Sequence, residues 1–378
     1  MQRVRSLTRV VVTGGAGFIG SHLVDQLVDL GHSVTVVDNL EPQVHRTKPT
    51  YLNPSARYLF EAVSNPVSLK SVAQAEVVFH FASIVGVGQS MYQVERYVDS
   101  NVGETASLLQ ALTQPSPEKK RKLIVASSMS VYGEGSYDCD NCGFIYPSLR
   151  TKSQLELRRW DLECPKCGSP IKPVPTSESR PLTASSVYAI TKRDQEELCL
   201  LIGRSYNIPT IALRFFNVYG PRQSLDNPYT GVCSIFQSRI KNGKAPLIFE
   251  DGLQSRDFVS VHDVVTACIL AMDAPIENGE VVNIGSGSSV PIIQLSRLLL
   301  KLYGKSEWDP RIENKSRAGD VRHCFADISK AKKILRYNPQ IDIEDGLREL
   351  VEWGQKRGSV DSSDEAYSIL VDQGLIGE

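Results

Sequence analysis

The stretch RVVVTGGAGFIGSHLVDQLVDLGHSVTVVDN, residues 9–39, constrains the fold more than any other part of the chain. Val10, Val11 and Val12 are β-branched and uninterrupted, the pattern of a strand buried on both faces. Ile19, Leu23, Leu27 and Leu30 then recur at helical spacing, Gly31 closes the helix, and Val34 to Val37 begin a second strand. Gly14, Gly17 and Gly20 stand between strand and helix. Glycines there allow a tight turn and let the backbone approach a pyrophosphate, whose charge rests on the helix N-terminus. Asp38 follows the second strand, where a carboxylate accepts hydrogen bonds from ribose hydroxyls and repels a 2′-phosphate. The unit predicts a dinucleotide site that prefers NAD to NADP.

Apolar strands follow at EVVFHFAS, KLIVASS and TIALRFFNVYG, with helical stretches between them, for instance around Ser107 to Leu112. Such alternation implies an α/β fold with a doubly wound parallel sheet. Residues 1–218 are expected to form the Rossmann domain, with a return to its sheet at about 258–286. Residues 219–257 and 287–357 are expected to form a smaller lobe, and 358–378 a polar, partly disordered tail. With 42 Lys and Arg against 43 Asp and Glu, no net basic field marks a nucleic-acid partner. No apolar run approaches the ~18 residues of a membrane span. The opening residues show no apolar leader segment, so a cytoplasmic setting is expected.

In YAITK, Tyr188 and Lys192 are four apart and share one helix face. An ammonium beside a phenol favours the phenolate and makes a usable general acid and base. Ser127 and Ser128 follow the strand LIVA and should emerge at the carboxyl edge of the sheet, where such folds place ligands.

Taken in order, GGAGFIG, Asp38, HFAS, NVGET, SSMSVYG, YAITK, RFFNVYGPRQ, SRDFVSVHDV, NIGSG and RAGDVRH resemble the extended short-chain dehydrogenase/reductase family, specifically its nucleotide-sugar epimerases and dehydratases. The resemblance spans nearly the whole chain except residues 136–175. It implies bound NAD at Gly14, Gly17, Phe18, Ile19, Gly20, Asp38, Asn39, Phe81, Ala82, Ser83, Asn101 and Phe216, with Lys192 on the nicotinamide ribose. By the same resemblance Tyr188 is the base and Ser128 binds the reacting sugar oxygen. Asn217, Arg256 and Arg317 meet the sugar diphosphate, which suits a forked guanidinium. For either arginine the alternative is an ion pair with Asp257 or Asp320. Where relatives often carry an Asp that holds adenine, this chain offers Ala62. Homodimers through two Rossmann helices are usual in the family.

Family dehydratases carry an Asp and a Glu directly after the catalytic hydroxyl, because elimination needs an acid and a base. Here those positions are Met129 and Ser130, and sugar-acid decarboxylases of the family carry a Glu where Ser130 stands. That favours a 4-epimerase, which needs only oxidation and hydride return at C4.

Residues 136–175 contain Cys139, Cys142, Cys164 and Cys167, two C-x2-C pairs with 21 residues between them. Four thiolates on two such knuckles suit tetrahedral Zn²⁺ in a closed, structural site; reduced bystander thiols or reversible disulfides are the alternatives. Six basic against five acidic residues in the insert argue against a nucleic-acid surface. Because the insert joins the Ser128 strand to the Tyr188 helix, it is expected at the cleft rim as a zinc-stapled lid or dimer element. Among family members, such an insert is similar to that of dTDP-L-rhamnose 4-epimerases, which form dTDP-6-deoxy-L-talose. UDP-glucose or UDP-glucuronate epimerisation, another nucleotide-sugar oxidoreductase or dehydratase reaction, and an NAD-sensing binding protein stay open. Cys199 and Cys268 fall in apolar helical patterns and are expected in the core, as are Cys233 and Cys324.

Overall fold

A computed structural model describes residues 7–115, 121–277 and 279–377. The first six residues of the expected Rossmann domain, and the opening segment on which the cytoplasmic expectation partly rests, lie outside the described residues.

Seven parallel strands form the central sheet. From one edge to the other they are Glu280–Ile284, Thr210–Phe215, Lys122–Ser128, Val77–His80, Arg9–Thr13, Ser33–Val37 and Arg57–Leu59. The order reverses direction between Arg9–Thr13 and Val77–His80, so the connections leave opposite faces there and open a crevice at the carboxyl ends. The first strand explains why both faces are buried. Val10 and Val12 belong to one apolar core, and Val11 to the other core across the sheet. The helix Phe18–Asp29 packs beside Val261–Asp273 on one side, while Glu104–Leu112 and Val187–Ser205 pack together on the other.

A smaller lobe has its own core, in which Phe236, Leu295, Leu299, Leu347 and Leu350 are buried. They come from the helices Val232–Lys241, Ile292–Leu302 and Ile343–Gln355. The tail corrects the expectation of partial disorder: Ser363–Asp372 is a helix. Ala366 and Leu370, four apart, bury one face, and Asp364 in its first turn pairs with Arg239 at 2.6 Å and Lys244 at 2.8 Å. Two apolar residues and one acid in register thus help to dock a segment that is polar on average. No helix among the described residues is long and apolar enough to cross a membrane.

Candidate active site

The crevice is a cleft of about 640 Å³ running from the glycine turn to the smaller lobe. Gly14 has φ +69°, and a Cβ there would come within 2.8 Å of the Ala82 backbone nitrogen. A Cβ on Gly20 would overlap the Gly14 carbonyl. The turn is therefore closed to side chains and open to a ligand's phosphates, as the sequence pattern requires. Asp38 Oδ2 accepts from Ala16 N and Oδ1 from Leu40 N, both at 2.9 Å, which fixes the carboxylate on the cleft wall. Thr13 Oγ1 accepts from Phe81 N and Ala82 N, tying the next strand end to the turn. Ala62 sits in the same wall between Glu61 and Val63.

Gly14, Gly17, Phe18, Ile19, Gly20, Asp38, Asn39, Phe81, Ala82, Ser83, Ser128, Tyr188, Lys192, Phe216, Asn217, Arg256 and Arg317 all line this one cleft. Asn101 does not. It is fully buried behind the wall, where its amide accepts from Ile84 N at 2.8 Å and donates to Ile84 O and to Thr191 Oγ1. Asn101 thus braces the wall against the Tyr188 helix instead of facing a ligand.

That helix, Val187–Ser205, starts at Ser186, whose side chain accepts from Ala189 N at 3.1 Å. Capping at this point puts Tyr188 on the first turn, beside the end of the strand that carries Ser128. The two neighbouring serines diverge, as strand alternation demands. Ser127 donates to Glu196, which is itself paired with Arg214 in the interior, whereas Ser128 faces Tyr188. Ser128 Oγ accepts from Ser130 N at 3.2 Å and from Ser130 Oγ at 2.9 Å, leaving its own proton for the phenol. Burial pushes the Tyr188 phenol up, and the Ser128 hydrogen bond pulls it back.

Lys192 differs from expectation. Its ammonium donates to Gln195 Oε1, and burial lowers it to about 8. Gln195 Nε2 donates to Thr105 Oγ1 at 2.9 Å, and His80 spans Thr13 Oγ1 at 2.8 Å and Thr105 Oγ1 at 2.9 Å. Burial, then the Lys192 charge, lowers His80 to about 3, so the ring is neutral. Thr105 donates to Asn101 O and accepts from Gln195 Nε2, which also lies 3.0 Å from His80 Nε2, so Lys192 is tied through Gln195 to the His80 cluster. The Lys192 ammonium is turned to Gln195 Oε1, and burial and Ser128 are the influences that set the Tyr188 phenol here.

At the other end of the cleft, Arg317 pairs with Asp320 at 2.9 Å and stacks on Phe249, 4.9 Å from the ring centroid. Phe249 stacks in turn on Tyr367 of the C-terminal helix. Arg256 has no Asp257 pair. It donates to the carbonyls of Ser255, Val321 and Arg322, while Asp257 accepts from Ser286, Gly287 and Ala326. Asn217 Oδ1 has no partner among the described residues, leaving that amide oxygen unclaimed.

The cysteine insert folds as three short antiparallel strands, with Tyr137, Cys139, Ile145, Leu162 and Cys164 as its core. The ligand atoms of all four cysteines lie within 4.8 Å of one another, and Cys139 and Cys167 sulfurs are 3.6 Å apart. A tetrahedron with Zn–S bonds of about 2.3 Å has edges of roughly 3.8 Å. The same spacing is far beyond the ~2.05 Å of a disulfide. Both knuckles close on a glycine with positive φ, Gly143 and Gly168. The lid expectation is corrected. Among the described residues, the cleft wall stops at Gly133 and resumes at Ser185, so nothing from 136–175 lines it. The insert stands behind the Arg317 loop because its two legs join the strand at His323 and Cys324: Gly135 N donates to His323 O and Thr176 N to Phe325 O.

The model of the NAD dependent epimerase/dehydratase family matches residues 10–150 and 164–285. The chain belongs to this family. The gap in the match falls inside the cysteine insert. A dTDP-L-rhamnose 4-epimerase of Burkholderia thailandensis is 33% identical over 350 residues, covering 91% of this chain and 94% of that one. A UDP-glucose 4-epimerase of Thermotoga maritima, solved with UDP-glucose, is 32% identical with a TM-score of 0.75 and covers 92% of this chain and 99% of its own. A UDP-glucuronic acid 4-epimerase of Bacillus cereus, solved with UDP-glucuronic acid and NAD, gives a TM-score of 0.76 at 29% identity and the same coverage.

Within this family frame, sequence reasoning missed groups that act on the site through others. Ser130 registered only as the lack of a carboxylate, though it orients Ser128. Gln195 carried no signal beyond lying one turn past Lys192 on the same helix. Tyr367 and Leu370 belong to the cleft wall, and their spacing within an otherwise polar tail was the available clue. The remaining cysteines are core, with Cys199, Cys233, Cys268 and Cys324 all buried; burial pushes Cys199 to about 12, which leaves it unreactive.

Proposed function

We propose that the chain is a nucleotide-sugar 4-epimerase using NAD, and that its substrate is dTDP-L-rhamnose, converted to dTDP-6-deoxy-L-talose. The observation that carries the reaction class is that Ser128 and Tyr188 line the same cleft at the sheet edge, with Met129 and Ser130 where elimination would need carboxyl groups. NAD fits the closed glycine turn and the fixed Asp38 carboxylate. When bound it supplies the hydride acceptor, then the donor, at C4. Tyr188 Oη takes the C4 hydroxyl proton as the C4–H bond breaks, and returns it when that bond reforms on the opposite face. Ser128 holds the same oxygen by hydrogen bonding, and Lys192, which lines the cleft while donating to Gln195 Oε1, is the residue that would hold the nicotinamide ribose. Asn217, Arg256 and Arg317 bind the diphosphate, anchoring the nucleotide while the ketone turns.

Support for a 6-deoxy sugar comes from Val85, Val87 and Met129, apolar residues of the cleft wall that would suit a methyl group. The four cysteines suit one structural Zn²⁺, with Cys139, Cys142, Cys164 and Cys167 as thiolate ligands. A homodimer is the assembly this reading favours: Val94 with Val98, and Ile190 with Leu201, expose apolar side chains on neighbouring segments of the Rossmann half. A cytoplasmic setting completes it, since reduced thiols are needed to hold the metal.

The test is incubation with a panel of dTDP-, UDP- and GDP-sugars, followed by NMR for inversion at C4. Turnover of dTDP-L-rhamnose, falling about 10³-fold in Tyr188→Phe, is expected. Turnover confined to UDP-glucose or UDP-glucuronate would replace the substrate, and unchanged turnover in Tyr188→Phe would remove the mechanism.

A further inference from the structure

The buried charges between insert and cleft are more than packing requires. Arg150, inside the insert, is almost fully buried and pairs with Glu250 at 2.8 Å; the same guanidinium donates to the Asp320 carbonyl at 3.2 Å and to the Trp160 carbonyl at 3.2 Å. Glu250 bridges onward to Arg322 at 3.0 Å, and Arg322 also takes Asp251 of the smaller lobe and, at the surface, the exposed Asp161 of the insert. Glu134, with no exposed surface, accepts from Arg322 N, His323 N and the Tyr137 hydroxyl, each at 2.8 Å. Asp320 is the partner of Arg317, and Glu250, Asp320 and Arg317 all line the cleft. The insert thus grips both sides of the loop that carries Arg317, without itself reaching the cleft.

The cysteines hold the gripping residues in place. Asp161 and the Trp160 carbonyl lie a few residues before Cys164, and Leu162 between them packs in one core with Cys139 and Cys164. Asn141 on one knuckle donates to Ser169 beside the other at 3.0 Å, so the two knuckles are registered at their tips. We propose that the metal-bound insert is a positioning element for the substrate's diphosphate: by fixing Arg150 and Asp161, it sets the Arg317–Asp320 loop against the anion. Arg150 and Asp161 are positioning residues, since neither lines the cleft. The inference deepens the nucleotide-sugar reading and rests on it.

The experiment uses the full chain, with dTDP and UDP alone as binding probes in calorimetry, beside steady-state turnover. The untreated protein is expected to hold about one zinc per chain. Removing the metal with a chelator, or substituting Cys164→Ser with Cys167→Ser, is expected to weaken nucleoside diphosphate binding and raise KM by about tenfold, while kcat and retained NAD change little. Re-adding Zn²⁺ to the stripped protein restores affinity. Arg150→Met, which leaves all four cysteines, should weaken dTDP and UDP binding by a similar factor with zinc content unchanged, and Arg150→Lys should recover part of the loss. Unchanged binding in the stripped protein or in Arg150→Met overturns the proposal, as does a fall in kcat alone. An untreated protein that binds neither diphosphate and turns over no nucleotide sugar defeats the functional reading itself; normal turnover with metal-independent affinity defeats only this inference.

Discussion

The two ends of the cleft are built by opposite means. At the glycine turn, the groups that would meet a dinucleotide are backbone amides and one carboxylate, all within residues 14–39, and their geometry follows from one strand, one turn and one helix. At the Arg317 end, the site depends on the buried Arg150, Glu250 and Arg322 and on Asp320, which come from the insert, the smaller lobe and a late loop. A backbone cradle needs close packing and resists change through sterics. A network of buried charges needs every partner present, because each lone ion left behind keeps its full desolvation cost. The first kind of site should fail locally, and the second should fail as a unit.

The largest expected effect breaks the charged end. Glu250→Gln leaves the shape but removes the charge shared by Arg150 and Arg322, two guanidiniums with almost no exposed surface. About 3 kcal/mol of stability should be lost, with weaker nucleoside diphosphate binding and unchanged NAD retention. Denaturant unfolding and calorimetry on the same sample check both halves. A loss of NAD with the diphosphate site intact would reverse the comparison.

Next in size is Gly14→Ala at the other end. The left-handed backbone and the approach of Ala82 together should cost about 2 kcal/mol, and the loss should appear first as weaker NAD retention. Binding of dTDP or UDP should stay within about twofold, because no residue of the charged network touches the turn. If nucleoside diphosphate binding fell as far as NAD retention, the two ends would be one cooperative unit.

The same contrast explains what could be read from the chain before its structure. The glycine turn, Asp38, Ser128 and the Tyr188–Lys192 pair were legible because each is a short-range pattern whose meaning is set by the next strand or helix. Arg256 and Arg317 could be placed by family resemblance, but their surroundings could not. Nothing in the local sequence says that Asp257 would turn to the backbone of Ser286 and Ala326 while Asp320 stayed with Arg317. Asn101 was placed in the cofactor site because its motif lies in the right order, yet an amide can brace a wall as well as face a ligand, and only the fold decides between them. The insert's four cysteines announced a compact unit gathered around its thiols, but its docking side depends on Glu134, Arg150 and Arg322, separated by up to 188 positions. Long-range ion pairs leave no periodicity to detect.

The smallest effect tests the junction between the two ends, where the chemistry happens. Ser130→Ala removes the hydroxyl that donates to Ser128 Oγ at 2.9 Å, a contribution worth about 1 kcal/mol. Ser128 then has less reason to aim its own proton at Tyr188, and that hydrogen bond is what pulls the buried phenol down. Weakening a donor to the phenolate raises its pKa, so less base is present at any given pH below it. The rising limb of the kcat/KM profile should move to higher pH, and activity at neutral pH should fall by less than about tenfold while activity well above the limb recovers. Affinities for NAD and for nucleoside diphosphates should not change, since Ser130 holds neither end. A uniform fall at every pH would mean that Ser130 shapes the sugar pocket directly instead of tuning the hydroxyl pair.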